Sequence, residues 1–275
     1  MLSRIISKLY RIIRYSRNKL IISTASSDDG LYPDFCLKAA KNESYFKNFK
    51  RNIIYTQVLE HVSEKDGLKY QKEIDKLLQK ESLQKYNQKL FSLAALNDSI
   101  GNPKKFFFQG RALSPTSLRY IKVALEIIDL IQGKKINSIV EIGGGYGGQA
   151  LLLSPLLKKE GIYTIFDLEE VTKLIAKFAS MTFIDNRISL KNKIDIEKEY
   201  DLFISNYALS ELTKTHANQY LKKVLSKSRH GYITYNNPGD NDSLEIHDIT
   251  EHINYEYSII DECPLMSNGG VIIKW

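Results

Sequence analysis

The stretch Ile139-Val140-Glu141-Ile142-Gly143-Gly144-Gly145-Tyr146-Gly147-Gly148-Gln149 constrains the fold of this chain more than any other. A β-branched run ends in a carboxylate, then breaks into glycines that open an apolar segment, Ala150 to Leu157. The pattern predicts a strand, a tight loop and a helix, the turn with which α/β domains build a nucleotide crevice. Glycine lets the backbone take positive φ and lets a ligand approach where a Cβ would collide. The first free N–H groups of the helix then face that ligand. Gly143, Gly145 and Gly148 satisfy G-x-G-x-x-G, a pattern that by itself marks many unrelated turns.

Downstream segments extend the reading. Gly161 to Asp167 predicts the next strand, and Asp167 ends it about 20 residues beyond the glycines, where a ribose-binding carboxylate belongs. Such an acid can equally cap the next helix. Tyr200 to Tyr207 predicts a buried parallel strand that turns polar at Asn206, on the edge where open α/β sheets hold ligands. Strands are expected at about 136–142, 161–167, 187–191, 200–206, 230–236, 254–261 and 270–275, with helices in most of the gaps. That alternation implies a mainly parallel sheet. The short loop Ser267-Asn268-Gly269-Gly270 implies an antiparallel pair at its edge. Amphipathic patterns over Tyr45–Val62, Leu68–Leu93 and Leu118–Ile131 predict a helical region, broken by a loop at Asn97-Asp98-Ser99 and Gly101-Asn102-Pro103.

The string E-I-G-G-G-Y-G (Glu141 to Gly147) resembles the first motif of class I S-adenosylmethionine-dependent methyltransferases. A carboxylate there suits a ligand bearing an ammonium and a sulfonium and would repel a pyrophosphate. The stretches "LYPDFCLKAA" (Leu31 to Ala40), "LEHVSEKDGLKY" (Leu59 to Tyr70), "LNDSIGNP" (Leu96 to Pro103), "SPTSLRYIKV" (Ser114 to Val123), "FDLEEV" (Phe166 to Val171), "YDLFISNYALSEL" (Tyr200 to Leu212) and "GYITYN" (Gly231 to Asn236) together resemble the sugar O-methyltransferase family. The resemblance covers all but the first 25 or so residues. It implies a Rossmann-like, mainly parallel seven-stranded sheet with an N-terminal helical region, S-adenosyl-L-methionine as donor, and transfer to a sugar hydroxyl; the Ile-, Lys- and Asn-rich composition suggests a bacterial setting, and with it surface glycan biosynthesis. Beyond a basic N-terminal helix expected over 1–25, it divides the chain into a helical lid and substrate region (26–130) and a cofactor-binding catalytic domain (131–275). The cofactor-binding residues it implies are Glu141, Gly143, Gly145, Tyr146, Gly147, Gln149, Asp167 and Leu168, joined by Asp195 at the adenine edge, Asn206, and Arg119 against the donor's carboxylate.

A sulfonium carries an activated methyl, so the protein must align an acceptor oxygen and remove its proton. Alignment supplies several kcal/mol, up to about 7–11 for well-oriented pairs. A sugar hydroxyl is a poor nucleophile, and a general base worth about 10²–10⁴-fold is expected. Glu211, just past the Asn206 strand end, and His61 are the candidates. Each has a plain alternative: a carboxylate at a helix N-terminus for Glu211, a structural histidine for His61. Some small-molecule O-methyltransferases carry a histidine about where Ser210 stands here, so that arrangement does not transfer directly. Asp240, Asp242, Glu245, His247, Asp248, Glu251 and His252 contain i,i+4 pairs able to meet a metal, but read more simply as a solvated helix, and no metal is assigned.

Charge is concentrated at one end. Arg4, Lys8, Arg11, Arg14, Arg17 and Lys19 supply six of the net +7, and the remainder of the 275 residues is nearly neutral. That distribution argues against nucleic acid as a partner. Leu2, Ile5, Ile6, Leu9, Ile12 and Ile13 recur at helical spacing among these cations, predicting a helix that lies on an anionic membrane surface or packs on protein. No apolar run is long enough to cross a bilayer. Two cysteines, Cys36 and Cys263, give no disulfide framework, which points to a reducing cytoplasm. The acceptor expected is a sugar or glycan, free or nucleotide- or lipid-linked. Two further readings share these residues: a nicotinamide-dependent oxidoreductase, disfavoured by Glu141, and a non-catalytic scaffold that joins a membrane glycan assembly complex through the basic helix.

Overall fold

The computed structural model describes residues 30–157, 160–182, 184–194, 198–236, 244–266 and 269–275. The basic helix expected over 1–25, Asp195, Asp240 and Asp242 lie outside the described residues.

The helical region is more broken than its periodicity predicts. After α1 (Leu31–Lys41), the expected helix over Tyr45–Val62 resolves into α2 (Glu43–Phe46), a single 3₁₀ turn at Phe49–Arg51 and α3 (Ile53–Thr56). Asparagines cause the restarts: Asn42 and Asn52 are N-caps whose side chains accept from Ser44 N and Ile54 N. Residues 57–63 then run without regular helix. Ser63, whose Oγ accepts from Asp66 N at 3.1 Å, caps α4 (Glu64–Leu77), and α5 (Glu81–Gln84) and α6 (Asn87–Ser99) follow. The loop expected at Asn97-Asp98-Ser99 is instead the last turn of α6. The chain breaks just beyond it, where Gly101 and Asn102 both take positive φ.

A hairpin not foreseen in the sequence, β1 (Phe106–Phe108) and β2 (Arg111–Leu113), turns at Gln109-Gly110, both with positive φ. That geometry is the one two-residue hairpin loops favour. Helix α7 (Pro115–Leu130) starts with Pro115 in its first turn and the Ser114 side chain accepting from Ser117 N at 3.1 Å. The buried Asp98 carboxylate locks this start, accepting from Ser114 N at 2.5 Å, Ser114 Oγ at 2.8 Å and Ser117 Oγ at 2.7 Å.

The remaining strands are β3 (Ser138–Ile142), β4 (Ile162–Phe166), β5 (Ile188–Lys191), β6 (Tyr200–Asn206), β7 (Ser228–Tyr235), β8 (Ser258–Asp261) and β9 (Val271–Lys274). They form one sheet in the order β5-β4-β3-β6-β7-β9-β8, parallel except for β9, which runs antiparallel to both its neighbours. This is the class I, Rossmann-like sheet with the antiparallel edge pair expected. Helices α8 (Gly148–Leu153), α9 (Glu169–Ser180), α10 (Ala208–Glu211), α11 (Lys214–Lys223) and α12 (Ile246–Thr250) lie between strands. The chain order reverses between β3 and β6, so the crevice for a ligand opens at the carboxyl ends of those strands. One face of the sheet shares a continuous apolar core with α1–α7, from Tyr32 and Phe49 through Leu118 to Tyr146 and Phe178. The other packs Val140, Phe203 and Ile273 against α11 and α12. Among the described residues, no helix is long and apolar enough to cross a membrane.

Candidate functional site

A cavity of about 790 Å³ opens at the carboxyl ends of β3, β4, β5 and β6. The glycine loop forms its floor. Gly143 takes φ 76° where the loop passes under α10, and a Cβ there would meet the Ala208 Cβ at 2.1 Å. Gly145 takes φ 61°, and a Cβ there would come within 2.8 Å of Leu59 Cδ1. The segment after α3 therefore crosses directly over the loop, and Val58, Leu59 and His61 line the cavity from above.

Two carboxylates end adjacent strands in this cavity. Glu141 is 2% exposed, and its Oε2 accepts from Tyr163 Oη at 3.0 Å. Burial outweighs that hydrogen bond and pushes its pKa up to about 8. Asp167 accepts from Gly145 N at 3.1 Å and Leu168 N at 2.8 Å, which ties the β4 end to the loop. Burial again prevails over these backbone donors and raises its pKa to about 7. Gln149, in the first turn of α8, donates Nε2 to Tyr120 O at 3.4 Å. Its Oε1 is buried with no hydrogen-bond partner among the described residues.

Against these acceptors stands one buried cation. Arg119, on α7, is 7% exposed, and no carboxylate among the described residues lies at ion-pair distance. Its guanidinium sits 5.6 Å from the Tyr120 ring and 5.7 Å from the Tyr207 ring, and it lines the cavity. Asn206, at the end of β6, also lines it and accepts from Thr234 Oγ1 at 3.0 Å.

The lining also includes the polar side chains of His61, Glu211, His216 and Asn236, with Leu212 and Met266. His216 Nδ1 lies 2.9 Å from Thr213 Oγ1. Ser210 turns away, bonding Tyr207 O at 2.7 Å and the Asn236 side chain. His61 is exposed at the cavity mouth, where partial desolvation and the Arg119 cation lower its pKa.

The structure thus gathers Glu141, Gly143, Gly145, Gln149, Asp167, Leu168, Asn206, Arg119, Glu211 and His61 around one cavity. Tyr146 is a correction. Its side chain is fully buried on the far side of the loop, with ring centroids 5.5 Å from Phe49 and 5.1 Å from Phe178, and its Oη accepts from Asn97 Nδ2 at 3.0 Å. The turn at Gly145 rotates residue 146 into the core, so it braces the loop from below. Gly147, at φ 92°, is the N-cap of α8 and shapes the turn of the loop. His247 is 84% exposed and Asp248 caps α12 by accepting from Glu245 N at 2.8 Å, so the described part of that acidic stretch serves the helix. Sequence reasoning missed Tyr32, Asn192, Lys193, His216, Tyr220 and Asn236 on the cavity wall. Of these, only Asn236 and Tyr220 carried a signal, one following a strand and the other one turn from His216 on α11.

The donor set fits a ligand that joins an amino acid to a nucleoside. Glu141 and the orphaned Gln149 oxygen are acceptors for an ammonium, Arg119 is a donor for a carboxylate, and Asp167 is an acceptor for a ribose diol.

No protein-family model and no curated protein matches the sequence. Solved structures resemble the fold at low identity. A Klebsiella pneumoniae protein provisionally classed as an O-methyltransferase is 15% identical, with 68% of this chain and 88% of that one covered and a TM-score of 0.44. A SAM-dependent O-methyltransferase of Thermotoga maritima is 14% identical over 56% of this chain and 63% of its own, TM-score 0.42. A SAM-dependent methyltransferase of Aquifex aeolicus is 13% identical over 55% and 87%, TM-score 0.42. The sheet order and the glycine loop carry the fold assignment independently of these likenesses.

Proposed function

We propose that this protein is an S-adenosylmethionine-dependent O-methyltransferase acting on a sugar hydroxyl. The observation that carries the reading is that one cavity holds a buried guanidinium, Arg119, with no ion partner among the described residues, together with the donor-less Gln149 Oε1 and the buried Glu141 and Asp167 carboxylates. Arg119 would receive the donor's carboxylate, Glu141 and Gln149 its ammonium, and Asp167 its ribose. A buried charge without a partner is costly, and a ligand of opposite charge recovers that cost. An ammonium beside Glu141 favours its ionised form, whereas the pyrophosphate of a dinucleotide would disfavour it further.

When bound, S-adenosylmethionine supplies a methyl already activated on a sulfonium. The chain's part is to hold an acceptor oxygen in line and to take its proton. The polar wall of His61, Glu211, His216 and Asn236 supports a polyhydroxy acceptor, because carboxylates, amides and imidazoles hydrogen-bond vicinal hydroxyls in pairs. His61, its pKa lowered beside Arg119, is the second candidate for the base. Glu211 is the stronger candidate. The helical region acts as a lid through Val58, Leu59 and His61, selecting the acceptor as it encloses the donor. A role in surface glycan assembly, with the basic N-terminal segment meeting membrane or partner, extends the same reading.

Calorimetric titration of the wild type and Asp167→Ala with S-adenosylmethionine, S-adenosylhomocysteine and NAD tests it. The expected outcome is micromolar binding of the first two, weakened by the substitution, and none of NAD. NAD binding alone would overturn the reading.

A further inference from the structure

Tyr207 follows β6 directly, and it takes φ 66° in the left-handed region. For a bulky aromatic residue this is a strained conformation that persists only where its surroundings fix it. Three contacts fix it. Tyr207 N donates to Thr234 O at 2.8 Å, Tyr207 O accepts from Ser210 Oγ at 2.7 Å, and Tyr207 Oη donates to Glu262 Oε1 in a short hydrogen bond. Glu262 lies just beyond β8, 55 residues further along the chain, and is 5% exposed. Its second oxygen accepts from Met266 N at 3.3 Å, and no cation among the described residues lies within ion-pair distance of it. A buried carboxylate so placed is costly unless it serves its hydrogen-bond partners. Arg119, Tyr207 and Glu262 share the walls of a second, small cavity of about 10 Å³ behind the site. The Tyr207 ring that Glu262 holds is the ring beneath the Arg119 guanidinium, at 5.7 Å.

We propose that Glu262 is a positioning residue for the donor's carboxylate: by fixing the Tyr207 phenol it holds Arg119 in the orientation in which the cavity receives an anion. This rests on the methyl-donor reading above and adds a residue to it that touches neither donor nor acceptor.

Two mechanisms by which Glu262 could influence Arg119 have opposite signs, so they separate. Acting by charge alone, Glu262 would offset the cation and weaken anion binding, and neutralising it would strengthen that binding. Acting through the hydrogen bond to Tyr207, its removal would let the guanidinium move and weaken anion binding. The probes are S-adenosylhomocysteine, which carries the carboxylate, and 5′-methylthioadenosine, which lacks the whole amino-acid end. Dissociation constants of both are measured by calorimetry for the wild type, Glu262→Ala, Glu262→Gln and Tyr207→Phe.

The expected result is a loss of about tenfold for S-adenosylhomocysteine in Glu262→Ala and Tyr207→Phe, with 5′-methylthioadenosine unchanged. Glu262→Gln, whose amide oxygen still accepts from the phenol, retains wild-type affinity for both. Equal losses for the two probes, or tighter S-adenosylhomocysteine binding in Glu262→Gln and Glu262→Ala, would overturn the proposal. Should Glu262→Ala fail to fold, Tyr207→Phe tests the same hydrogen bond without burying a new group. A wild type that binds neither probe would instead sink the donor reading on which the proposal stands.

Discussion

At the scale of single residues, the site is built from polar groups kept where water is scarce, and their protonation follows. Glu141 has its pKa raised from near 4.5 to about 8 by burial. The folded state therefore holds a proton that the unfolded state has released between those values. The stability this contributes is full below the unfolded value and is lost as pH rises through about 8. Glu141→Gln, a permanently neutral mimic of the protonated acid, removes the dependence. In urea unfolding, the two proteins should be close in stability at pH 4, and the wild type should fall behind by on the order of 3 kcal/mol at pH 9. Parallel pH profiles would contradict this account. The same residue was legible in sequence because a carboxylate two positions before the first glycine has few structural reasons to be there. Tyr207 and Glu262 were not legible: a hydrogen bond between positions 55 apart leaves no local pattern.

Elements follow their caps more faithfully than their hydrophobic periodicity. The run from Tyr45 to Val62 has helical spacing, yet asparagine side chains satisfy backbone donors at two points and restart the chain. The resulting irregular segment 57–63 is what carries Leu59 over the glycine loop and His61 to the cavity. Asp98 acts at the same scale. Its carboxylate satisfies the Ser114 amide and two hydroxyls, joining the end of α6 to the start of α7, the helix that carries Arg119. Asp98→Ala orphans that buried amide and should lower the unfolding free energy by about 3 kcal/mol, read as a fall in the denaturant midpoint at unchanged slope. A loss below about 0.5 kcal/mol would mean that the cap is dispensable. The hairpin at Gln109-Gly110 was missed because the sequence offers glutamine where asparagine or aspartate usually announces such a turn.

Across the whole molecule, the helical region and the sheet are continuous through one apolar core, so the proposed lid is anchored rather than tethered. Closure over a donor then concerns the segment between α3 and α4, where Leu59 meets the glycine loop. Amide exchange over residues 57–62 should slow on binding S-adenosylhomocysteine, while the central strands β3 and β6, already buried, stay unchanged. Exchange that slows evenly across the chain would show general stabilisation and no lid. The parallel sheet, its antiparallel edge pair and the glycine loop with its flanking acids were determined by the sequence alone, because each rests on short-range pattern: β-branched runs, turn residues and fixed spacing. The tertiary structure alone decided that Tyr146 faces the core, that Arg119 lacks an ion partner among the described residues, and that Leu59 and Glu262 reach the site from distant parts of the chain. Those outcomes depend on which surfaces compete for the same buried volume, and that competition exists only once the chain has folded.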